Sequence, residues 1–488
     1  MSGVTRRGLL GGAAVAGAAV ALPLSEADAR RLKALRVDVA IVGAGFAGLT
    51  AARRLVKRGH SVVVLEANGR VGGRVKNHSL GHGKITEVGG EFIGPTQDRV
   101  LALARELKVG TFKTYNEGDN VLYEEGQLSR YPASSAIPPN GKFVADLLPA
   151  LGKLDSMAAE LPVDAPWTAP HAAEWDAQTL QQWSDANIAG QSARNFFRTA
   201  VNAVWGVDPW ELSLLFALAY IRGAGNESTP GAVLRLLSTA GGAQETRFVG
   251  GSQLIAVRAA NALGTRVVKS SPVRRIVSGR NGVTVESDRL TVHARRVVVT
   301  VPPALVSTIE FDPAPADRLQ IAQRFPQAVE AKAGAIYDHP FWRDQGLSGQ
   351  VASDTGPLRS TFDNTPPSGK PGIVFGFIGG HESRAWARLS AAGRKKATLE
   401  SLATYFGPQA LQAQAYVEGY SVTQEPWIRG CPTAIAGPGA LLELGPALRR
   451  PVGRVHWAGT ETSTFWFGYM DGAVRSGERV AAEVARKL

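Results

Sequence analysis

The hydrophobic pattern near the start of the chain indicates a strand, a helix and a second strand. Residues 37–42 form a short apolar run, which is typical of a buried parallel strand. In the stretch that follows, Leu49, Ala52 and Leu55 fall on one face of a predicted helix. Residues 62–65 form a second apolar run. This order predicts two strands of a parallel sheet with a helix between them.

Three glycines lie between the first strand and the helix. Gly43, Gly45 and Gly48 form the pattern G-x-G-x-x-G. The first permits a tight turn, the second lets the backbone approach a pyrophosphate, and the third lets helix and strand pack closely. Glu66 follows the second strand and is placed to accept hydrogen bonds from an adenosine ribose. An ordinary βαβ unit is the alternative, but the combined pattern favours a Rossmann-like dinucleotide site.

The segment directly after Glu66 favours FAD over NAD as the dinucleotide. It reads GRVGGRV, in which Gly72 and Gly73 offer bare backbone. Arg70 and Arg74 offer guanidinium groups to phosphates. An arginine-flanked turn that binds nothing is the alternative. The extension resembles the FAD-binding signature of flavin amine oxidases, so we expect FAD.

Composition and charge exclude few classes of protein. The chain has 488 residues, of which 44% are hydrophobic and 20% charged, so two domains or one large composite can form a core. The net charge of +12 raises the question of nucleic acid or a membrane surface. Because lysines and arginines are scattered among acids, we expect no nucleic-acid partner. No Ser-His-Asp set is apparent, and we predict no metal site.

The N-terminus has the features of an export signal. Arg6 and Arg7 precede an apolar Gly/Ala-rich stretch, residues 8–24, which is short and weakly hydrophobic for a membrane span. Paired arginines predict the twin-arginine (Tat) route, which exports folded proteins to the periplasm or the exterior. We expect residues 1–29 to be this signal and the mature chain to lack a membrane span. An uncleaved anchor or a disordered tail is the alternative.

The end of the chain carries the longest diagnostic motif. Residues 456–488 read HWAGTETSTFWFGYMDGAVRSGERVAAEVARKL and look like the C-terminal FAD segment of monoamine oxidases. Four shorter motifs match the same family: GGEFIGPTQDRV (89–100), FVGGSQ (248–253), VVVTVPP (297–303) and HPFW (339–342). The chain therefore resembles the flavin-containing monoamine oxidase family, in a bacterial and exported form, over nearly all of its length after the signal.

The resemblance implies a two-domain α/β fold and an enzyme. A Rossmann-like FAD domain would be assembled from residues 36–112, 247–320 and 424–488. Residues 113–246 and 321–423 would form a substrate domain with a mixed sheet and helices. The implied reaction is FAD-dependent oxidative deamination of a small-molecule amine by O2, giving aldehyde, ammonia and hydrogen peroxide.

Three residues are implied to act on substrate or oxygen. Lys332 resembles the lysine that holds a water against flavin N5 and assists the reaction with oxygen. Its small apolar neighbours favour burial over a position on the surface. Gln244 resembles a glutamine on the substrate side of the flavin, with a polar loop residue as the alternative. Tyr469 resembles one wall of the aromatic cage through which the amine passes.

Four further residues are implied to hold the cofactor. Glu461 resembles the acid that binds the ribityl chain of the flavin. Val273 resembles the residue whose backbone contacts the adenine. Met470 would begin a helix whose N-terminal amides face the flavin pyrimidine. Cys431, the only cysteine, stands where the family forms a thioether to the 8α-methyl group, and Arg429 is near enough in sequence to favour its thiolate. A thiol that merely packs is the alternative.

Two positions depart from the animal enzymes. Pro432 replaces the tyrosine of the second cage wall, and Val422 replaces a tryptophan. The cage is therefore half built or uses another ring, for which the candidates are Trp427, Phe465 and Trp466. A more open pocket and a larger or less benzylic amine are expected.

Two other functions stay open. A polyamine or L-amino-acid oxidase could use the same fold, and the latter needs an arginine facing the substrate carboxylate, with Arg222 and Arg247 as candidates. A non-catalytic, exported flavin-binding scaffold is an alternative of another class, but it would need neither Lys332 nor Gln244. A homodimer is also left open.

Overall fold

The structure is a computed structural model that describes residues 33–139, 141–420 and 425–488. The predicted export signal and Val422 lie outside the described residues. The described chain forms two large mixed β-sheets with helices packed around them. This architecture confirms the predicted α/β fold class.

The strands are short, and most belong to the two large sheets. They are β1 (Lys33–Val42), β2 (Val62–Leu65), β3 (Asn77–Gly81), β4 (Lys84–Glu87), β5 (Thr111–Lys113), β6 (Asp119–Glu124), β7 (Gln127–Pro132), β8 (Thr246–Phe248), β9 (Val267–Val268), β10 (Val273–Gly279), β11 (Gly282–Ser287), β12 (Leu290–Val299), β13 (Glu310–Asp312), β14 (Ala331–Tyr337), β15 (Leu347–Ser353), β16 (Ser360–Asp363), β17 (Gly372–Ile378), β18 (Ala415–Tyr420) and β19 (Val455–Trp457).

The α-helices lie between these strands and at the end of the chain. They are α1 (Phe46–Lys57), α2 (Asp98–Glu106), α3 (Val144–Ala159), α4 (Ala172–Asp176), α5 (Leu180–Asn187), α6 (Gln191–Trp205), α7 (Leu214–Gly223), α8 (Val233–Leu237), α9 (Gln253–Leu263), α10 (Ala316–Arg324), α11 (Phe341–Asp344), α12 (Gly380–Ala387), α13 (Ala391–Phe406), α14 (Ala440–Leu444) and α15 (Met470–Ala485).

The larger sheet has the order β13-β10-β11-β12-β1-β2-β9, with β19 paired to the end of β12. β1 is parallel to both β12 and β2. Residues 39–42 of β1 are buried because helices cover the sheet, as expected for an apolar stretch of a parallel strand. α15 approaches α1 so closely that a Cβ on Gly477 would lie 2.4 Å from the carbonyl oxygen of Ala47. The predicted strand-helix-strand unit is β1, α1 and β2.

The second sheet has the order β18-β14-β17-β16-β15-β6-β7. β14 is antiparallel to β17 and β18, and all seven of its residues are buried. Helices α3 to α8 form a separate apolar core that packs beside this sheet. β14 lies inside the sheet, and part of it packs against α13. Its other side chains can face a cavity.

The two sheets draw on different parts of the chain. Strands of the larger sheet come from residues 33–65, 267–312 and 455–457. Strands of the second sheet come from residues 119–132 and 331–420. The exact residue boundaries of the FAD and substrate domains stay a prediction.

Candidate active site

The glycine-rich turn opens helix α1. Gly43 has φ of +105°, and a Cβ there would lie 2.6 Å from the hydroxyl oxygen of Thr300. A Cβ on Gly45, the residue before the helix, would meet nothing within 4 Å. A Cβ on Gly48 would lie 2.0 Å from the carbonyl oxygen of Gly43. Gly48 thus allows close packing, while Gly45 leaves open space at the positive end of the helix.

Glu66 follows β2 and faces the same turn. One carboxylate oxygen accepts a hydrogen bond from the backbone N–H of Ala44 at 2.6 Å, and the other accepts from that of Asn68 at 2.8 Å. Burial raises the pKa of Glu66, although both backbone donors favour its ionised form. These contacts fix the carboxylate beside the glycine-rich turn, and its role as a ribose acceptor stays a prediction.

Arg70 and Arg74 join this region to the C-terminal part of the chain. Arg70 forms an ion pair with Glu425 at 3.0 Å. Arg74 donates two hydrogen bonds to Glu461, at 2.6 and 3.0 Å, and a third to the carbonyl oxygen of Pro432. Burial alone would raise the pKa of Glu461, but Arg74 outweighs it and holds that pKa below its usual range. Both guanidinium groups, predicted to serve phosphates, are thus already held by carboxylates.

A cavity of about 460 Å³ runs along these elements. Gly48 and Glu461 lie behind its wall. The other residues predicted from the sequence line it: Gly43, Gly45, Glu66, Arg70, Gly72, Gly73, Arg74, Gln244, Val273, Lys332, Cys431, Tyr469 and Met470. Residues far apart in sequence therefore meet around one cavity, which is the candidate active site.

The cavity fits FAD at both of its ends. At one end, the open space at Gly45 and the first amides of α1 suit a pyrophosphate, with Glu66 beside them for a ribose. At the other end, α15 begins at Met470 on the cavity wall and can direct its N-terminal amides at a ring that gains negative charge. When bound, FAD supplies the two-electron oxidation.

Lys332 is buried at 6% exposure, on the cavity wall. Its Nζ lies 2.9 Å from a carboxylate oxygen of Glu91 and 3.8 Å from the ring centre of Phe375. Burial lowers the pKa of Lys332, while the charge of Glu91 partly offsets this effect. Burial also raises the pKa of Glu91 to about 7. The surface position considered for this lysine is therefore wrong.

Arg247 and Arg222 do not line the cavity. Arg247 is buried and forms ion pairs with Glu87 at 3.2 Å and with Glu91 at 3.9 Å. Arg222 donates to the carbonyl oxygen of Leu161. Neither arginine is placed to bind a substrate carboxylate.

Tyr469 and Tyr220 form an aromatic pair on the wall of the cavity, which Phe92 and Phe377 also line. The ring centres of the two tyrosines lie 5.9 Å apart. Of the rings considered as substitutes for the second cage wall, Trp427 lines the cavity, with Arg274 over its face. Trp466 packs behind Tyr469 at 4.8 Å.

Phe465 lies under Arg475 and, like Trp466, does not line the cavity. Tyr220 was not identified from the sequence because it lies in an apolar helix, where an aromatic residue gives no functional signal.

Cys431 lies at the cavity wall, half-buried. Its backbone N–H donates to the carbonyl oxygen of Ala328 at 3.0 Å, which joins its loop to the residues before β14. Arg429, expected to favour a thiolate, is exposed. The charge of Cys431 interacts with that of Arg74 and helps to raise the pKa of this arginine. A thiolate here is therefore favoured by Arg74.

Gln244 is fixed by its amide, which donates to the carbonyl oxygen of Leu236 at 3.0 Å. Its side-chain oxygen has no hydrogen-bond partner within the described residues. Because Gln244 lines the cavity, this oxygen is a candidate acceptor for a substrate N–H.

Comparisons with known proteins match this arrangement over most of the chain. Residues 46–485 match the model of a family described as flavin containing amine oxidoreductase. AofH of Mycobacterium tuberculosis, which bears the name of a flavin-containing monoamine oxidase, is 43% identical over 457 residues, or 93% of this chain and 97% of the relative.

The chain belongs to the flavin-containing amine oxidoreductase family.

Two solved structures of amine oxidases are similar in fold as well as sequence. Putrescine oxidase with bound putrescine is 32% identical with a TM-score of 0.88, covering 93% of this chain and 100% of the other. Cyclohexylamine oxidase from Brevibacterium oxydans is 35% identical with a TM-score of 0.87, covering 92% and 99%. The family resemblance and the two-domain flavin amine oxidase fold are confirmed, and this amine oxidoreductase is an FAD-dependent enzyme that oxidises amines.

The sequence did not predict the cluster formed by Asp208, His381 and Glu382, whose ligand atoms lie within 4.8 Å of one another. His381 lies 3.2 Å from Asp208 and 2.9 Å from Glu382. Because Glu382 also forms ion pairs with Arg359 and Arg198, its charge is already balanced by cations. We interpret the cluster as an ion-pair network of this amine oxidoreductase.

Within residues 33–488, apart from the gaps at 140 and 421–424, no helix of this amine oxidoreductase combines the length and apolarity that crossing a membrane requires.

Proposed function

We propose that this amine oxidoreductase is an oxidase, which passes the electrons of its substrate to dioxygen. From a primary amine the products are an aldehyde, ammonia and hydrogen peroxide. The proposal rests on one observation, the buried Lys332 on the wall of the cavity that fits FAD. A fixed cation shielded from water stabilises the negative charge that forms when dioxygen accepts an electron.

The surroundings of Lys332 support a fixed position for its ammonium group. Glu91, at 2.9 Å, supplies an opposite charge, and the ring of Phe375 covers one side. Arg247 in turn lies between Glu91 and Glu87. A lysine held in this way needs no rearrangement when charge forms beside it.

Tyr220 and Tyr469 are proposed to hold the amine. Their rings offer apolar surface and an electron-rich face to a cationic or neutral amine. Gln244 adds an acceptor on the same wall. These residues orient the substrate and exclude water from the carbon that is oxidised.

Polyamine oxidation is the second candidate. It is favoured by Glu330, a carboxylate on the cavity wall, and by the similarity to putrescine oxidase. The L-amino-acid alternative has less support, because neither Arg222 nor Arg247 lines the cavity.

The test is peroxide release by the purified holoenzyme. We expect hydrogen peroxide in proportion to the aldehyde formed from aliphatic, aromatic or polyamine substrates, and none from the protein stripped of flavin. A parallel assay replaces dioxygen with an electron-accepting dye under argon. Turnover with the dye but no peroxide in air would overturn the oxidase proposal and leave amine oxidation intact.

A further inference from the structure

Glu330 is a carboxylate on the cavity wall without a counter-ion in contact. It lies immediately before β14, two residues before Lys332. It lines the cavity. Among the residues that the structure describes, none forms an ion pair or a hydrogen bond with its carboxylate, and Lys332 acts on it only through its charge. No sequence motif marks this residue.

The position of Glu330 is next to Pro432, which replaces the second aromatic wall. A Cβ on Gly206, directly after α6, would lie 3.0 Å from both the Cβ of Glu330 and the Cδ of Pro432. The hydrogen bond from Cys431 to Ala328 holds the Pro432 loop against the segment that carries Glu330. The Cβ of Glu330 thus lies on the side of the cavity that carries Pro432 in place of the second ring.

Glu330 is also close enough to act on the two remaining rings. Burial raises the pKa of Tyr469, and the charge of Glu330 raises it further. Burial also raises the pKa of Tyr220, and the charges of Tyr469 and Glu330 raise it further. A cation that binds in the cavity beside this tyrosine pair therefore also meets the negative charge of Glu330.

The cations nearby are bound to other carboxylates. Lys332 lies 2.9 Å from Glu91, and Arg74 forms two hydrogen bonds with Glu461. Removal from bulk water raises the pKa of Glu330 to about 8, with Lys332 opposing the shift. Glu330 is only partly exposed, and a carboxylate that is partly removed from water gains from a cation that arrives with the ligand.

We propose that Glu330 binds the ammonium group of the substrate and accepts one of its protons before the neighbouring carbon is oxidised. One N–H bond breaks and one carboxyl O–H bond forms, so that ammonium and carboxylate become neutral amine and carboxylic acid. This proposal rests on the amine oxidation by this family and adds a specificity-determining acid-base residue to it.

The proton transfer has a chemical purpose. Loss of hydride from the carbon leaves positive charge that the nitrogen lone pair must stabilise, and an ammonium group has no lone pair. An alkylammonium ion has a pKa of about 10.4, as in lysine. A carboxylate whose pKa has risen toward that value is a better acceptor than an ordinary one.

The test uses tert-butylamine, an amine with no hydrogen on the carbon beside nitrogen, so that binding is measured without turnover. Calorimetry on the holoenzyme in two buffers gives both the affinity and the protons released. Because the pKa of Glu330 is raised to about 8, binding of the ammonium should release more protons at pH 7, where the free carboxyl group is more often protonated, than at pH 9.

The Glu330→Gln variant should bind tert-butylamine at pH 9 about 10- to 100-fold more weakly, and should release no proton at pH 7. Affinity in the wild type should fall as the pH drops below about 8, and this dependence should vanish in the variant. The titratable or charged groups around Glu330 that must be considered are Lys332, Tyr220, Tyr469 and Cys431. Tert-butanol serves as a neutral probe, and Glu400→Gln alters an exposed carboxylate as the matched control.

Equal proton release and affinity in wild type and Glu330→Gln would overturn the proposal. If Glu330→Gln loses its flavin, Glu330→Asp takes its place, and its affinity for tert-butylamine should still depend on pH, with a shifted midpoint. The number of protons that the wild type releases at pH 7 then tests the proposal by itself. Absence of turnover with every oxidisable amine would instead count against the proposed function, while proton release with tert-butylamine still reports on Glu330.

Discussion

At the scale of single residues, Lys332 is predicted to act in one of the two half-reactions of the enzyme. That half-reaction is the oxidation of the reduced enzyme by dioxygen, and the other is reduction by the amine. Lys332→Met should slow the reaction of the reduced enzyme with dioxygen on the order of 100-fold, because the fixed positive charge is lost, and should change reduction by the amine much less. Because burial already raises the pKa of Glu91 to about 7, this residue can take up a proton when its partner is removed.

Stopped-flow absorbance measures the two rates separately after anaerobic reduction. Lys396→Met, at a lysine with 75% exposure, is the control for the loss of charge itself. An unchanged rate with dioxygen would remove Lys332 from the oxygen reaction.

Cys431 is predicted to carry the flavin covalently. Its position on the cavity wall and the nearby charge of Arg74 favour a thiolate there. The bond removes one hydrogen from the thiol and one from the 8α-methyl group, with dioxygen as the final electron acceptor. After acid denaturation, flavin should stay with the wild-type chain and separate from Cys431→Ser. Complete release from the wild type would leave Cys431 as a packing residue.

Residues of the site differ in how far the sequence could predict them. Gly43 and Glu66 belong to a local pattern whose spacing follows from the turn itself, so the sequence was sufficient. Glu91 and Tyr220 are brought to the site by tertiary packing. Their spacing in the sequence does not predict that position. Glu330 could have been found, because alternate residues of a strand face the same side and it precedes Lys332 by two.

At the scale of elements, Asp471 in α15 caps the separate helix α2. Its carboxylate accepts hydrogen bonds from the backbone N–H groups of Arg99 and Val100 at 2.7 and 2.8 Å, and it pairs with Arg475. The residue before α2, Gln97, makes no side-chain cap. The N-terminal cap of α2 is therefore supplied by Asp471, a residue of another helix.

Asp471→Ala should lower the free energy of unfolding by about 3 kcal/mol, because it leaves two helical N–H donors of α2 without an acceptor. It also removes one of the three carboxylates that pair with Arg475, the others being Asp98 and Glu227. Urea denaturation of the holoenzyme measures this loss. Glu478→Ala in the same helix breaks a partly exposed ion pair with Arg54 and should cost less than about 1 kcal/mol. Equal losses in the two variants would show that the cap contributes nothing.

The two sheets differ in how readily the sequence predicts their strands. The last four residues of β1, 39–42, and all of β2 are apolar runs on either side of a glycine turn and a helix, so the local pattern was enough to predict them. β14 reads AKAGAIY and is buried throughout, so it shows neither the alternation of a half-exposed strand nor a helical stripe. Its role as an inner strand comes from pairing with β17 and β18, which are distant in sequence.

At the scale of the whole molecule, the cofactor site exists only in the folded chain. The cavity is lined by Gly43 near the start, Val273 in the middle and Met470 near the end. These residues come together only when the larger sheet has closed around β1. FAD binding is therefore coupled to folding of the complete chain, and bound FAD stabilises the folded state by mass action.

We propose that this coupling is the reason for export through Arg6 and Arg7. A route that carries folded proteins allows the chain to bind FAD in the cytoplasm before it crosses the membrane. Replacing both arginines with lysine keeps the charge but should trap the precursor, with its flavin, in the cytoplasm. Cell fractionation with immunoblotting and flavin fluorescence measures where chain and cofactor reside. If the Lys-Lys form still appears outside the cytoplasm, the chain uses another route, and the link between cofactor loading and export is wrong.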